Sequence, residues 1–211
     1  MDIPRNTYAK GDRYYDKTAN NYDKRRKKQE WWHVEQDEMK VLLDQLPKNL
    51  KVVDIPFGTG RFVKDYMERG YEVHGLDASG DMIEASRQSI GDLLDQCDTQ
   101  VGDATNLPYE DREFDLLVST RFLRDIILFG QSKKAMAEFS RVTKQYAIIQ
   151  LGHTIEGGRI PEDDETMHSC MSEAQLIQYL AYNSFRILDK RLVKETPEEN
   201  CRIFHFLLEK V

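Results

Sequence analysis

Four residues carry the first chemical signal in this chain: Asp54, Gly58, Gly60 and Asp77. Asp54 lies in a short apolar run, Lys51-Val52-Val53-Asp54-Ile55, which Pro56-Phe57-Gly58-Thr59-Gly60-Arg61-Phe62 follows. An acidic residue at the end of a strand can hold an ammonium group, and glycines in the next turn let the backbone approach a ligand closely. Asp77 stands 19 positions after Gly58. That is near the spacing at which a carboxylate accepts both hydrogen bonds of a ribose diol. The two features together predict a nucleoside ligand.

The elements around these residues must place them at one end of a sheet. The run at Lys51–Ile55 reads as strand, the glycine stretch as a tight turn, and Phe62, Val63, Tyr66 and Met67 as a helix. Tyr71–Leu76 is a second strand, leading through Asp77-Ala78-Ser79-Gly80 into a helix from about Asp81. Thr99–Val101, Phe114–Ser119 and Tyr146–Leu151 read as three more strands, with a helix at about Ser132–Val142 between the last two. Alternating strands and helices predict a parallel sheet covered on both faces. After a helix opened by Ser172, with Gln175 completing a capping box, the runs Phe185–Val193 and Ile203–Leu208 follow with no helix between them. They are expected to pair antiparallel. Before the first strand, Val34, Val41, Leu42 and Leu46 predict an amphipathic helix over Trp31–Leu46, ended by Pro47. Which nucleoside is bound follows from what is missing. A dinucleotide fingerprint needs glycine or alanine three positions after Gly60, and Val63 stands there. A pyrophosphate gains from a helix N-terminus, whereas Asp54 favours a cationic group such as an α-ammonium or a sulfonium. The balance favours S-adenosylmethionine (SAM) over NAD.

These residues resemble the class I SAM-dependent methyltransferases, in particular the small-molecule, type 11/25-like branch with a D-x-x-x-G-T-G loop. The resemblance runs from about Tyr22 to the C-terminus. It implies an α/β fold: a doubly wound, seven-stranded, mostly parallel sheet of order 3-2-1-4-5-7-6 with a C-terminal antiparallel hairpin. In that family Gly58 and Gly60 would line the methionine part of SAM, Phe57 and Thr59 would belong to the same cofactor site, and Asp54 would help hold its amino group. Asp77 would bind the ribose hydroxyls, Met82 would lie against the adenine face, and Ala78 would belong to the cofactor site. In Val101-Gly102-Asp103-Ala104-Thr105-Asn106-Leu107-Pro108, similar to the family's third motif, Asp103 would accept from the adenine amino group and the Ala104 backbone would contact the ring. Tyr22-Asp23 and Arg26 resemble an N-terminal Y-D-x-x-R segment that folds over the cofactor, with Arg26 a partner for its carboxylate. Pro56 departs from the pattern, standing where the family's loop has its first glycine. Proline fixes φ and lacks an N–H, so contacts there must differ.

Thr120 and Arg121 follow the fourth strand, where family members place groups near the transferable methyl, so Thr120 is assigned to the cofactor and Arg121 to the substrate. Arg121 and Arg124 favour an acidic acceptor. His153, after the fifth strand, is the candidate general base because an imidazole titrates near neutral pH. His168, in the polar stretch 152–171, is a candidate substrate contact. Each of these has a plainer reading as a surface arginine or a loop histidine. Methyl transfer needs mainly alignment of the acceptor with the S–CH₃ bond, so a base is optional.

Composition bounds the rest. The 211 residues, with 30 Lys+Arg against 37 Asp+Glu and a net charge of −7, predict one domain with no electrostatic pull toward nucleic acid or anionic lipid. Residues 1–46 are expected to form an N-terminal helical cap and residues 152–171 a lid. No apolar run approaches the roughly 18 residues of a membrane span, and the N-terminus lacks the apolar stretch of a signal peptide. A cytoplasmic monomer or homodimer acting on a small molecule is expected. Cys97, Cys170 and Cys201 form no CxxC pair, so neither a disulfide framework nor a metal site is predicted. Two alternatives remain: a non-catalytic subunit that binds SAM or S-adenosylhomocysteine, and an NAD(P)-dependent oxidoreductase on the same fold.

Overall fold

The computed structural model describes residues 28–211; Tyr22 and Arg26 lie outside the described residues. The described elements run α1 (Glu30–Leu43), β1 (Lys51–Asp54), α2 (Val63–Met67), β2 (Glu72–Asp77), α3 (Gly80–Ile90), a 3₁₀ turn at Gly91–Gln96, β3 (Asp98–Val101) and β4 (Phe114–Ser119). They continue with α4 (Phe129–Val142), β5 (Thr143–Thr154), α5 (Glu173–Tyr182), β6 (Phe185–Thr196), a 3₁₀ turn at Pro197–Glu199, and β7 (Cys201–Lys210). The seven strands form one sheet of order β3-β2-β1-β4-β5-β7-β6, the order the resemblance implied. The first five strands are parallel, and β7 runs antiparallel to both β5 and β6.

Side-chain alternation along the strands divides the core into two layers. Val53, Leu117, Ala147, Ile149, Phe206 and Leu208 face the layer that holds Met136 and Phe139 of α4 and Leu176 and Leu180 of α5. Their strand neighbours Val52, Leu116, Val118, Ile148 and Leu207 face the layer of Met39, Leu42 and Leu43 of α1 and Val63 and Tyr66 of α2. Runs such as Leu116-Leu117-Val118 are apolar throughout because both faces are covered.

The capping box at Ser172 and Gln175 forms as expected, with both reciprocal bonds present. Strands β5, β6 and β7 extend two to three residues beyond most of their expected ends, since cross-strand pairing carries them past their apolar cores. Helix α1 differs in phase. Val34 and Val41 are exposed, and the buried positions are Trp32, Glu35, Met39, Leu42 and Leu43. That spacing is a clean helical stripe with a carboxylate in it, which apolar counting alone passes over. The stretch after β5 begins later than expected, because Gly152, His153 and Thr154 belong to the strand. Residues 155–171 are tied down by Phe129 N–H to Glu165 O, Gly130 N–H to Asp163 O and Arg159 N–H to Cys170 O, and bury Met167 and Met171. Among the described residues no helix is long and apolar enough to cross a membrane.

Candidate functional site: a cleft at the ends of β1, β2 and β4

A cleft, about 920 Å³ with the space open to solvent included, opens where the carboxyl ends of β1, β2 and β4 meet. This is the point at which strand order reverses and ligands of open α/β sheets bind. One wall is the turn after β1, with Phe57, Gly58 and Thr59 along the opening. The chain reaches this turn in conformations that glycine favours: φ is +57° at Gly58 and +68° at Gly60. A β-carbon on Gly60 would also come within 2.8 Å of Ile90 Cδ1. Gly60 itself is not among the described residues lining the cleft; it shapes the turn.

The second wall is the end of β2 and the start of α3, with Asp77, Ala78, Ser79 and Met82. Asp77 joins the two walls. Its Oδ2 accepts the Gly58 N–H and its Oδ1 the Ser79 N–H, each at 2.8 Å. Burial pushes its pKa up to about 6, against the pull of these two donors. Ser79 also caps α3, accepting the Met82 N–H. Gly102 and Ala104 continue the wall. Asp103 between them caps its own turn, its Oδ1 accepting from both N and Oγ1 of Thr105 at 2.8 Å.

Asp54 is buried, 3% exposed, and is not among the described lining residues. Tyr66 Oη donates to its Oδ2 at 3.1 Å. Burial raises its pKa to about 8, with the nearby Asp77 charge acting in the same direction. The carboxyl therefore keeps its proton at neutral pH in this state.

The third wall is Thr120, Arg121 and Phe122 with Ile126, and Trp32 of α1 completes the mouth. Arg121 adopts φ +55°, a left-handed conformation rare for a side chain of its size. Its guanidinium does not stand free for an acidic ligand. It is paired with the buried Glu35 of α1, through Nε at 3.0 Å to both carboxylate oxygens. Arg124 is likewise engaged inside the protein, with Asp125 at 2.8 Å and His168 Nδ1 at 3.1 Å. The expected preference for an acidic acceptor loses its basis, because a carboxylate of the protein takes up each arginine.

The structure brings neither histidine to the cleft; among the described residues, neither lines it. Alternation along β5 puts His153 on the same face as Leu151, while Gln150 faces α1. The His153 ring stacks on Phe204, centroids 5.2 Å apart, and Nδ1 lies 2.8 Å from Thr154 O. His168 bridges Asp125 and Glu199, 3.3 Å from each.

Four residues at the site went unassigned in sequence. Glu35, Arg61, Gln150 and His205 meet behind Trp32. Arg61 Nη1 and Gln150 Nε2 donate to the Glu35 carboxylate, and His205 Nε2 donates to the Glu35 carbonyl at 3.2 Å. Burial opposes ionisation of Glu35, but the Arg121 and Arg61 charges outweigh it and hold its pKa at about 2. Burial holds the His205 pKa at about 4, so the ring is neutral. The one signal available in sequence was Glu35 itself, set on the apolar stripe of α1 between Trp32 and Met39.

The fold and cleft define a doubly wound α/β domain with an open cleft at the switch point of its sheet. Residues 53–150 match the family described as methyltransferase domain. A demethylmenaquinone methyltransferase of Paenarthrobacter aurescens (strain TC1) is 31% identical over 128 residues, 59% of this chain and 46% of that protein. The chain thus spans less than half the length of this relative. Among solved structures, the Burkholderia thailandensis 1,6-didemethyltoxoflavin-N1-methyltransferase, with S-adenosylhomocysteine bound, superposes with TM-score 0.66 over 92% of this chain and 84% of that one, at 15% identity. The [4+2]-cyclase SpnF superposes with TM-score 0.65 over 82% and 81%, at 19% identity. A cyclase among these neighbours illustrates that the fold does not name the reaction. Residues 53–150 thus match the methyltransferase-domain family, and the sheet order is the one that the resemblance to the class I SAM-dependent methyltransferases implied.

Proposed function

We propose that this protein is a SAM-dependent methyltransferase that acts on a small molecule. The observation that carries the reading is Asp77, a buried carboxylate at the end of β2 that ties the glycine turn to the start of α3 beside an open cleft. The residues present fit the cofactor. Asp77 would accept from the ribose hydroxyls, Met82 and Ala104 would flank the adenine, and the backbone at Gly58 and Thr59 would run along the methionine portion. Asp54, behind this turn, supports a cationic amino group there once it gives up its proton. SAM, when bound, supplies a methyl group already activated by the sulfonium.

The work left to the chain is alignment and exclusion of water. Holding two reactants at near-attack distance supplies on the order of 7–11 kcal/mol in favourable cases. The third wall, Phe122 and Ile126 with Trp32, offers an apolar surface on which an acceptor would be held. With His153 and His168 turned elsewhere and Arg121 paired, no described side chain here is assigned as a base, in keeping with transfer by proximity. The acceptor is read as a small molecule rather than a nucleic acid, given the net charge of −7. The protein is read as a cytoplasmic monomer or homodimer.

The test is calorimetric titration of the purified protein with SAM, S-adenosylhomocysteine and NADH. Binding of the first two with none of NADH is expected, and would be followed by a screen of acceptors. Binding of NADH alone would make the protein an oxidoreductase and end this reading.

A further inference from the structure

Glu35 is fully buried, yet it belongs to none of the three walls of the cleft. Its carboxylate collects donors from three separate elements. Arg61 follows the glycine turn, Arg121 follows β4, and Gln150 lies in β5. Both arginines line the cleft. Trp31 and Trp32 of the same helix lie against them. The Arg61 Cζ is 3.5 Å from the centre of the Trp32 ring, and the Arg121 Cζ is 3.9 Å from that of Trp31.

The pairing reaches the backbone as well as the side chains. Gln150 Oε1 accepts the Arg121 N–H at 3.1 Å, while Gln150 Nε2 donates to Glu35. An amide has one accepting and one donating end, so Glu35 fixes which way Gln150 points. If the amide turned over, its Nε2 would face the Arg121 N–H, two donors against each other. The left-handed backbone at Arg121 is therefore held from two sides, by Gln150 at its N–H and by Glu35 at its guanidinium. Such strained conformations persist only where the surroundings over-determine them. On the other wall, Arg61 Nη2 donates to Trp32 O and Nε to Gln36 Oε1 at 3.1 Å. The residue next to Gly60 is thereby bound to α1 at three points.

We propose that Glu35 is a positioning residue for the cofactor cleft, acting through Arg61, Gln150 and Arg121 to hold the glycine turn and the segment after β4 in register with each other. Helix α1 is then a working part of the cleft rather than a cover on the sheet. The proposal rests on the reading of the cleft as a SAM site.

A double-mutant cycle on the full chain tests it, with S-adenosylhomocysteine as the titrant and wild type, Glu35→Gln, Arg121→Met and the combined variant compared. Each single substitution is expected to weaken binding by about 10- to 100-fold, the range for loss of a buried charged partner. The combined variant is expected to bind no more than about threefold worse than the weaker single, because both changes break one network. Met39→Ala is the control: Met39 is fully buried on the same helix and belongs to the apolar layer between α1 and the sheet. At a matched loss of stability in urea, Met39→Ala is expected to keep its affinity within about threefold, given additivity for uncoupled sites. Multiplying penalties in the cycle, unchanged affinity in Glu35→Gln, or an equal loss in Met39→Ala would overturn the proposal. Should Glu35→Gln fail to fold, Glu35→Asp withdraws the carboxylate by one methylene. Weaker binding than Met39→Ala at matched stability supports the proposal, and equal binding overturns it. A wild type that binds neither SAM nor S-adenosylhomocysteine removes the functional reading and this inference with it, whereas wild-type binding with an unaffected Glu35→Gln removes the inference alone.

Discussion

Replacing Asp77 by asparagine separates ligand affinity from stability, and the structure sets the size of both effects. The wild-type carboxylate accepts two backbone N–H groups at 2.8 Å. Asparagine keeps one accepting oxygen and turns an NH₂ group toward the other donor, which costs about 1–3 kcal/mol for a buried group left unpaired. A second effect opposes it. The Asp77 pKa is raised in the folded protein to about 6 from an ordinary value of 3.8, so the native state holds this proton more tightly than the unfolded chain. The stabilisation from that difference is fully present below pH 3.8 and is lost as pH rises through about 6. At pH 7.5 the wild type carries the cost of a buried ionised carboxylate, and the neutral amide does not. The two effects offset, and the unfolding free energy in urea should change by no more than about 1–2 kcal/mol. Binding has no such offset. Loss of a charged acceptor for the ribose hydroxyls removes about 1.5–3 kcal/mol, or roughly 10- to 150-fold in the dissociation constant for S-adenosylhomocysteine by calorimetry. A folded Asp77→Asn protein that binds within twofold of wild type would refute both the placement of the ribose and the reasoning from Asp77.

Other substitutions probe the supports of the cleft. Gly75 lies in β2, and a β-carbon there would come within 2.2 Å of the Phe57 ring. Gly75→Ala should therefore displace a wall of the cleft, lowering stability in urea by about 1–3 kcal/mol and weakening S-adenosylhomocysteine binding; an unchanged midpoint would show that Phe57 moves freely. Asp54, with its pKa raised to about 8, stabilises the native state below pH 3.8 and loses that contribution as pH rises through 8. Asp54→Asn should flatten the fall in melting temperature between pH 6 and 9, and a profile identical to wild type would place the pH dependence elsewhere. Ser172→Ala removes the capping box of α5 and should cost about 1 kcal/mol in urea without altering ligand binding; a loss of affinity would connect α5 to the cleft.

The fold was largely legible in the sequence because its signals are local. Val52-Val53 and Leu116-Leu117-Val118 are runs that only a strand covered on both faces accommodates, and the glycines at 58 and 60 occupy left-handed positions that disfavour other residues. The sheet order came through the resemblance rather than from any single run. Histidines in loops and at strand ends were read from type and neighbourhood, and strand alternation decided otherwise: His153 follows Leu151 to one face, while Gln150 and His205 face α1.

What the sequence by itself determined is therefore the order of elements, the turn that lets the backbone approach a ligand, and the carboxylate at the end of β2. Each depends on interactions between residues close in the chain or on the conformational limits of one residue type. What only the tertiary structure decided is which charges neutralise one another. Glu35 meets Arg61, Arg121 and Gln150 across 26, 86 and 115 residues of chain, and no periodicity or spacing encodes such a meeting. Until the sheet has assembled and α1 has packed on it, each of these groups is a solvated charge or amide with no preferred partner. Once they are buried together, the cost of leaving any one unpaired selects this arrangement, and with it the shape of the cleft.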